Sequence, residues 1–223
     1  MKKVKHMHHF VDGVLYKVIM HVYIFFVINV LFALSNIFLL FVIFSAQLTN
    51  TWFFLFLGLL PLGPALGAAF YSMGKLVREG DINPVKSYIK GYTMNFKIAF
   101  IFGLIQSILL ASLVVNLVIV FDNFLLAVLL MLPIIMLSMV TLYGFAVLSR
   151  FEMKIKNLFT LSIYLTFKKW PITLYNFIVT AFIILMFNLL TAYILPFVAS
   201  VYVFWIMKNL KPILKELMEE RAT

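Results

Sequence analysis

The sequence has 223 residues, of which 65% are hydrophobic and 12% are charged, with a formal net charge of +10. Soluble domains carry about a quarter charged residues, so this composition excludes an ordinary water-soluble fold and indicates an integral membrane protein. The lack of cysteine excludes disulfides, thiolate metal sites, iron–sulfur clusters and a cysteine nucleophile.

Long uncharged stretches predict six transmembrane helices. Between Ile98 and Ser149 the only charged residue is Asp122, and Trp170–Met207 contains none. A run of about 18 or more apolar residues can cross the hydrocarbon core as a helix. The predicted spans, in chain order, are Val22–Ala46, Thr51–Met73, Ile98–Val120, Phe124–Leu148, Ile172–Leu190 and Ala192–Met207.

The last uncharged stretch is too long for one crossing. Its 38 residues would form a straight helix of about 57 Å, nearly twice the thickness of the hydrocarbon core. We therefore expect a turn near Leu190–Tyr193, with Pro196 early in the returning helix.

The basic residues predict the orientation. With six spans, all 18 Lys and Arg lie on one side, and the three turns on the other side carry none. Because basic loops stay in the cytoplasm, both termini are expected to be cytoplasmic. The clusters are Lys2, Lys3, Lys5 and Lys17; Lys75, Arg78, Lys86, Lys90 and Lys97; Arg150, Lys154, Lys156, Lys168 and Lys169; and Lys208, Lys211, Lys215 and Arg221.

The order of segments indicates an internal repeat within a single transmembrane domain covering residues 1–223. Each pair of spans follows a segment of mixed apolar and basic residues, at Phe10–His21, Pro84–Phe96 and Leu158–Trp170. We predict an all-α fold of three parallel hairpin repeats, each preceded by a cytoplasmic interfacial helix. The units are about 10–78, 84–150 and 157–208, and residues 209–223 form a cytoplasmic tail.

The middle interfacial helix has the clearest pattern. Asn83 is placed to cap its first turn, and Pro84 suits the first helical position. A basic stripe and an apolar stripe of Val85, Tyr88, Tyr92 and Phe96 recur at helical spacing. The predicted partners of the basic stripe are anionic lipid headgroups, contacted by Lys86, Lys90 and Lys97.

The segment from Pro61 to Lys97 resembles a known family. The residues that carry the likeness are Pro61-Leu-Gly-Pro-Ala-Leu-Gly-Ala-Ala-Phe-Tyr71, Lys75-Leu-Val-Arg-Glu-Gly80, Ser87-Tyr-Ile-Lys-Gly-Tyr-Thr-Met-Asn-Phe-Lys97 and Ser149-Arg-Phe-Glu-Met-Lys154. They are similar to the YesL family of bacterial polytopic membrane proteins of unknown function. The resemblance implies the bacterial plasma membrane and genes often encoded near carbohydrate importers. It supplies no activity and no catalytic residue.

The second span is the candidate functional site because it is rich in glycine and proline. Small residues at a spacing of four let helices pack closely, whereas prolines interrupt helices around the solute paths of some transporters. Close packing at the centre of the three units is the favoured interpretation, and a solute or ion path is the alternative. The residues concerned are Gly58, Pro61, Gly63, Pro64 and Gly67.

The predicted spans contain polar residues but no ionisable ones in their interiors. Unpaired amides are costly in hydrocarbon, so these side chains are expected to face other helices. The lack of membrane-embedded acids, histidines and lysines argues against a proton-coupled transporter. The residues are Asn29, Ser35, Asn36, Gln106, Ser107, Asn116, Ser138, Thr141, Thr180 and Asn188.

Two polar groups could in principle bind ions. His6, His8 and His9 are read as a solvated tail rather than a metal site. The acids Glu79, Asp81 and Glu152 are expected to pair with neighbouring Lys75, Arg78, Arg150 and Lys154, although a metal and a phosphate are conceivable ligands. We predict no catalytic, cofactor or metal residues, and no enzyme activity.

These observations favour a non-catalytic membrane protein that is associated with an ABC-type carbohydrate importer, through contacts with the importer subunits. The alternative is a small solute transporter or channel that uses the second span. Nucleic acid is not an expected partner, because the basic residues flank spans in four places rather than forming one surface.

Overall fold

A computed structural model describes residues 13–44 and 57–222. The regular structure in these ranges is helical, which confirms the all-α class there. Residues 57–59 are helical and a turn at residues 60 and 61 follows them. The helices are α1 (Val14–Ser35), α2 (Ile37–Phe44), α3 (Leu62–Glu79), α4 (Pro84–Met94), α5 (Phe96–Ile119), α6 (Phe124–Leu148), α7 (Ile155–Lys168), α8 (Trp170–Ile194) and α9 (Val198–Ala222).

Within the described ranges, five helical segments are long and apolar enough to cross a membrane. This confirms several potential membrane spans. The sixth predicted span is not among them, because only ten apolar or small residues of α9, from Val198, precede Lys208. Ten helical residues are about 15 Å long, half the hydrocarbon core. The five are Tyr16–Ser35, Leu57–Glu79, Phe96–Ile119, Phe124–Leu148 and Trp170–Leu189.

The second of these segments, which contains α3, lies at the centre of the molecule. In its most apolar window 61% of the residues are buried, compared with 22% or less in the other four. Its neighbours α4, α5, α6, α9 and α1 surround it. Phe70 of α3, Phe102 of α5 and Phe145 of α6 are buried. The ring of Phe145 stacks on Phe70 and meets Phe102 edge-on, which joins three helices in one core.

The second and third predicted interfacial helices are present as separate helices. Asn83 accepts a hydrogen bond from the backbone N–H of Lys86 at 3.0 Å, which confirms the predicted cap of α4. Helix α4 is followed by its C-cap Asn95, and α7 by its C-cap Lys169, just before the Trp170–Pro171 pair. Pro171 has no N–H to donate to the carbonyl of Phe167, although it is tolerated in the first turn of a new helix, so it accounts for the second break.

The first interfacial helix was predicted wrongly. From Val14 onward the predicted segment Phe10–His21 is part of the continuous helix α1. No proline, glycine or asparagine near His21 interrupts the helix, as Asn95 and Pro171 do in the other units. The break comes instead at Asn36, whose side-chain amide donates to the carbonyl of Phe32 and competes with the helical ladder.

The turn in the last hairpin also differs from the prediction. Helix α8 continues through Leu190–Tyr193 to Ile194, and the turn occupies residues 195–197. Pro196 therefore lies in the turn, because it fixes its own φ and cannot donate to a continuing helix. The predicted tail, residues 209–223, is helical through Ala222, and Leu210, Ile213 and Leu214 are buried.

Helices α8 and α9 run antiparallel. Lys169 Nζ lies 2.6 Å from Glu216 Oε2, and farther along, the side chains of Asn176 and Asn209 are hydrogen-bonded at 2.9 Å. These contacts bring the beginning of α8 beside the second half of α9.

Several predictions lie outside the described residues. They concern the N-terminal Lys2, Lys3 and Lys5, the histidines His6, His8 and His9, and the first turn at residues 47–50.

Candidate functional site

The glycines of α3 and α5 bring two helix backbones into direct contact. A Cβ atom added to Gly63 would collide with the carbonyl oxygen of Ala99, and one added to Gly103 would collide with Cα of Gly63. Gly67 is less confined, because its Cβ position is 3.4 Å from Cβ of Ala99. No side chain can enter between these backbones, so this part of the second span is a packing contact.

The other small residues of the second span also lie against neighbours. The Cβ position of Gly58 is 2.9 Å from Cα of Leu39 in α2. Pro61 is half-buried in the turn before α3, and Pro64 is buried. This arrangement supports the packing interpretation of the predicted site residues more than the path interpretation.

One observation favours the path interpretation. Gln106 follows Gly103 by one helical turn on the same face, and it is 1% exposed. Neither its amide nitrogen nor its amide oxygen has a hydrogen-bond partner. In α3, the residue after Gly63 is Pro64. Proline has no N–H, so Pro64 cannot donate a hydrogen bond to the carbonyl of Leu60. Sequence reasoning placed Gln106 against other helices but did not predict that its amide is unpaired.

The predicted lipid-contacting lysines lie on the outer face of α4 and the start of α5. Lys86, Lys90 and Lys97 are exposed. The buried face of α4 is formed by Pro84, Ser87, Tyr88 and Gly91. This face packs on α3, where Gly91 contacts Ala68 and Tyr71. Only part of the predicted apolar stripe is therefore covered, because Tyr88 is buried while Val85 and Phe96 are exposed.

A groove of about 330 Å³ separates α4 from the end of α1. At this groove the hydroxyl of Tyr88 donates to Oγ of Ser35 over 3.0 Å. The lining is otherwise almost wholly apolar and consists of Leu31, Leu34, Ser35, Tyr88, Ile89, Tyr92 and Thr93. This surface suits hydrocarbon better than a polar substrate.

Asn29 joins the first described helix to the last. Its side-chain nitrogen donates to the carbonyl of Leu195 at 2.9 Å, and its oxygen accepts from the N–H of Ala199 at 3.0 Å. The amide thus pairs one carbonyl of the turn and one free N–H group in the first turn of α9, as capping side chains do. The expectation that Asn29 faces another helix is confirmed.

The predicted pairing of acids with bases near Gly80 is only partly present. Lys75 and Glu79 form a salt bridge at 3.6 Å. Within residues 13–44 and 57–222, no salt bridge involves Arg78, Arg150 or Lys154. In those ranges no group of three His, Asp or Glu side chains is arranged to hold a metal ion.

Comparison with known families agrees with the resemblance seen in the sequence. Residues 25–117 match the family described as "Protein of unknown function, DUF624". The matched DUF624 segment includes all of Pro61–Lys97, and the predicted likeness to a membrane-protein family of unknown function is confirmed. The DUF624 segment contains α3, α4 and most of α5, and so it includes the Gly63–Gly103 contact. No curated protein and no solved structure matches the chain.

Proposed function

We propose that this protein is a non-catalytic accessory subunit of a carbohydrate import system in the bacterial plasma membrane. The observation that carries the proposal is the backbone contact between Gly63 and Gly103, which supports close helix packing over a solute path at this point of the second span. The family resemblance supports the choice of a carbohydrate importer as the partner. In this role the protein would act by binding the importer subunits.

The test is isolation of the complex from its native membrane. Extraction in a mild detergent through a C-terminal tag, followed by mass spectrometry, is expected to recover the permease subunits of an ABC importer. An unrelated six-span membrane protein with the same tag and expression level is the control. Recovery of no importer subunit above this control, with the tagged protein folded, contradicts the proposal.

A small solute transporter is the second candidate, and the unpaired amide of Gln106 is the observation that favours it. In reconstituted vesicles this candidate predicts uptake of a solute that is lost in Gln106→Leu. The matched control is Asn116→Leu, because Asn116 is exposed and donates only to Ser112 of its own helix. Uptake by the purified protein alone would favour transport over the accessory role.

We also propose six membrane passages with both termini in the cytoplasm. The basic clusters support this topology, and the antiparallel contacts of α8 with α9 are compatible with it. The last passage would combine the turn at residues 195–197 with the short apolar part of α9. The three hairpin units are retained in this proposal, with the first lacking a separate interfacial helix.

A further inference from the structure

The C-terminal ends of α3 and α6 bring Arg78 close enough to Arg150 for the two charges to interact. The Cβ position of Gly74 lies 3.4 Å from Nη1 of Arg78 and 3.7 Å from Oγ of Ser149, the residue before Arg150. A third cation is close, because Nζ of Lys211 in α9 donates to the carbonyl of Val77 at 3.3 Å. Three helices therefore contribute positive charge to one small region.

The guanidinium N–H groups of these two arginines make few hydrogen bonds within the described residues. Nε of Arg150 is buried and has no acceptor. Nη1 of the same side chain donates only to the sulfur of Met218, at 3.5 Å, and thioether sulfur is a weak acceptor. Arg78 makes no hydrogen bond or salt bridge with any part of the chain that the structure describes.

Neighbouring carboxylates do not balance the charge. Glu79 is paired with Lys75, and the exposed Asp81 and Glu152 form no salt bridge among the described residues. Burial, and then the nearby Arg78, lower the pKa of Arg150. The negative ends of α3 and α6 favour nearby cations, but they offer Nε no acceptor.

We propose that Arg78 and Arg150, with Lys211 beside them, form a binding site for a phosphate group. Guanidinium groups donate in a planar fork that matches phosphate oxygens, and charge-assisted bonds of this kind are the strong ones. A phosphate has enough oxygens to accept from both arginines and to neutralise their mutual repulsion. The phosphate could belong to a lipid headgroup or to a free ion, and both sources present the same chemistry.

The first arm of the test uses inorganic phosphate. The intact protein in a neutral detergent is unfolded by heating, with tryptophan fluorescence as the signal, in phosphate and in chloride at equal ionic strength. Phosphate is expected to raise the melting temperature. Removing one charged donor weakens binding by about tenfold or more, so Arg150→Gln and Arg78→Gln are expected to need that much more phosphate for the same shift.

The second arm uses lipid. Native mass spectrometry is expected to detect more bound phosphatidylglycerol than phosphatidylcholine, and the arginine variants are expected to lose the difference. Lys156→Gln is the control for both arms, because Lys156 is an exposed base at the start of α7. Lipid binding without a phosphate shift assigns the site to headgroups, and a shift with both probes assigns it to phosphate in general.

If Arg78 served only to stabilise the fold, Arg78→Gln would lower the melting temperature even without phosphate. The binding site predicts instead that Arg78→Gln keeps or raises the melting temperature without phosphate, because it removes a repulsive partner of Arg150. Arg78 is exposed, so this variant stays informative if Arg150→Gln does not fold. The site is refuted if neither probe distinguishes Arg78→Gln from the unchanged protein, or if Lys156→Gln loses as much binding.

Discussion

Glycine positions in the central helix pair differ in how much space they leave. A methyl group on Gly63 would meet the backbone of Ala99, which cannot move without displacing α5, whereas one on Gly67 would meet the methyl of Ala99 at 3.4 Å. The sequence shows the two glycines at equivalent helical positions. Only the structure distinguishes them, because the spacing of small residues does not reveal where the two helices come closest.

Substitution of these glycines by alanine is expected to have opposite consequences. Gly63→Ala should lower the free energy of unfolding by about 1–3 kcal/mol, because it overpacks a backbone contact. Gly67→Ala is the matched control and should be neutral or stabilising by up to about 1 kcal/mol, because alanine has the better helix propensity. Thermal unfolding in detergent measures both. Equal melting temperatures for the two variants would contradict the close contact.

Amides in the spans also behave differently from one another. Asn29 pairs with α9 and the turn before it, whereas Asn116 and Asn188 are exposed and donate to carbonyls four residues earlier in their own helices. The expectation that all amides face other helices was therefore wrong for Asn116 and Asn188. An asparagine can use its own helix to satisfy its donor, and sequence alone does not indicate which choice it makes.

Removal of the Asn29 amide is expected to destabilise the contact between the first and last helices. Asn29→Leu should reduce the free energy of unfolding by about 0.6–1.7 kcal/mol, the range found for hydrogen bonds between membrane helices. Asn188→Leu removes an equivalent amide without breaking a contact between helices and should have no such cost. Limited proteolysis near residues 195–197 provides a second measurement. Equal protection of that turn in both variants would argue against the role of Asn29.

At the scale of elements, helix boundaries were predictable where a residue imposes them. Asn83 and Pro84 set the start of α4, and the bounds of α5 and α6 agree with the predicted third and fourth spans within two residues at either end. The last turn was misplaced because residues 188–200 contain no charged residue that marks the end of a span. Its position depends on Pro196 and on Asn29, which is more than 160 residues away in the sequence.

The junction of α7 with α8 is held against α9 by Lys169 and Glu216. The hydrogen bond from Lys169 is the largest cause of the lowered pKa of Glu216. A lowered pKa means that this pairing stabilises the fold above the ordinary pKa of the carboxyl, near 4.5, and that the contribution disappears as the pH falls through the lower value of the folded state.

Acid is therefore expected to loosen the second half of α9 before the apolar core. Amide hydrogen exchange of residues 213–222 should quicken as the pH falls below about 4.5, after correction for the intrinsic rate. Glu216→Gln should exchange faster at neutral pH and lose most of the dependence on pH. Glu219→Gln is the matched control, because Glu219 pairs with Lys215 of its own helix. A pH response unchanged in Glu216→Gln would exclude this pair as the cause.

At the scale of the whole molecule, composition and charge predicted a helical membrane protein, and the helices confirm several potential spans. The central position of the second span was also anticipated from its small residues. Three equal hairpins were not recovered as such, because α1 lacks the break found at Asn95 and Lys169, and α9 has a short apolar part. Repeats inferred from the order of segments do not determine how each copy is interrupted.

Topology can be tested directly because the chain has no native cysteine. With the proposed orientation, Asn123→Cys should react with an impermeant maleimide added outside cells, whereas Asp81→Cys and Glu219→Cys should react only after the membrane is opened. All three positions are exposed in the structure. Labelling of Glu219→Cys but not of Asp81→Cys from outside would mean an odd number of passages between the two positions. Labelling of both from outside would reverse the orientation.

The bond between Asn29 and the turn before α9 has a consequence for biogenesis. The two partners are separated by 166 residues along the chain, so the ribosome must synthesise the chain as far as Leu195 before α1 can acquire its partner. Until then the side-chain amide of Asn29 lies in the membrane without the carbonyl of Leu195 as its acceptor. A chain that is terminated before Leu195 never gains this acceptor. Membrane proteases could thus distinguish a finished molecule from an aborted one by whether the C-terminal helix is present.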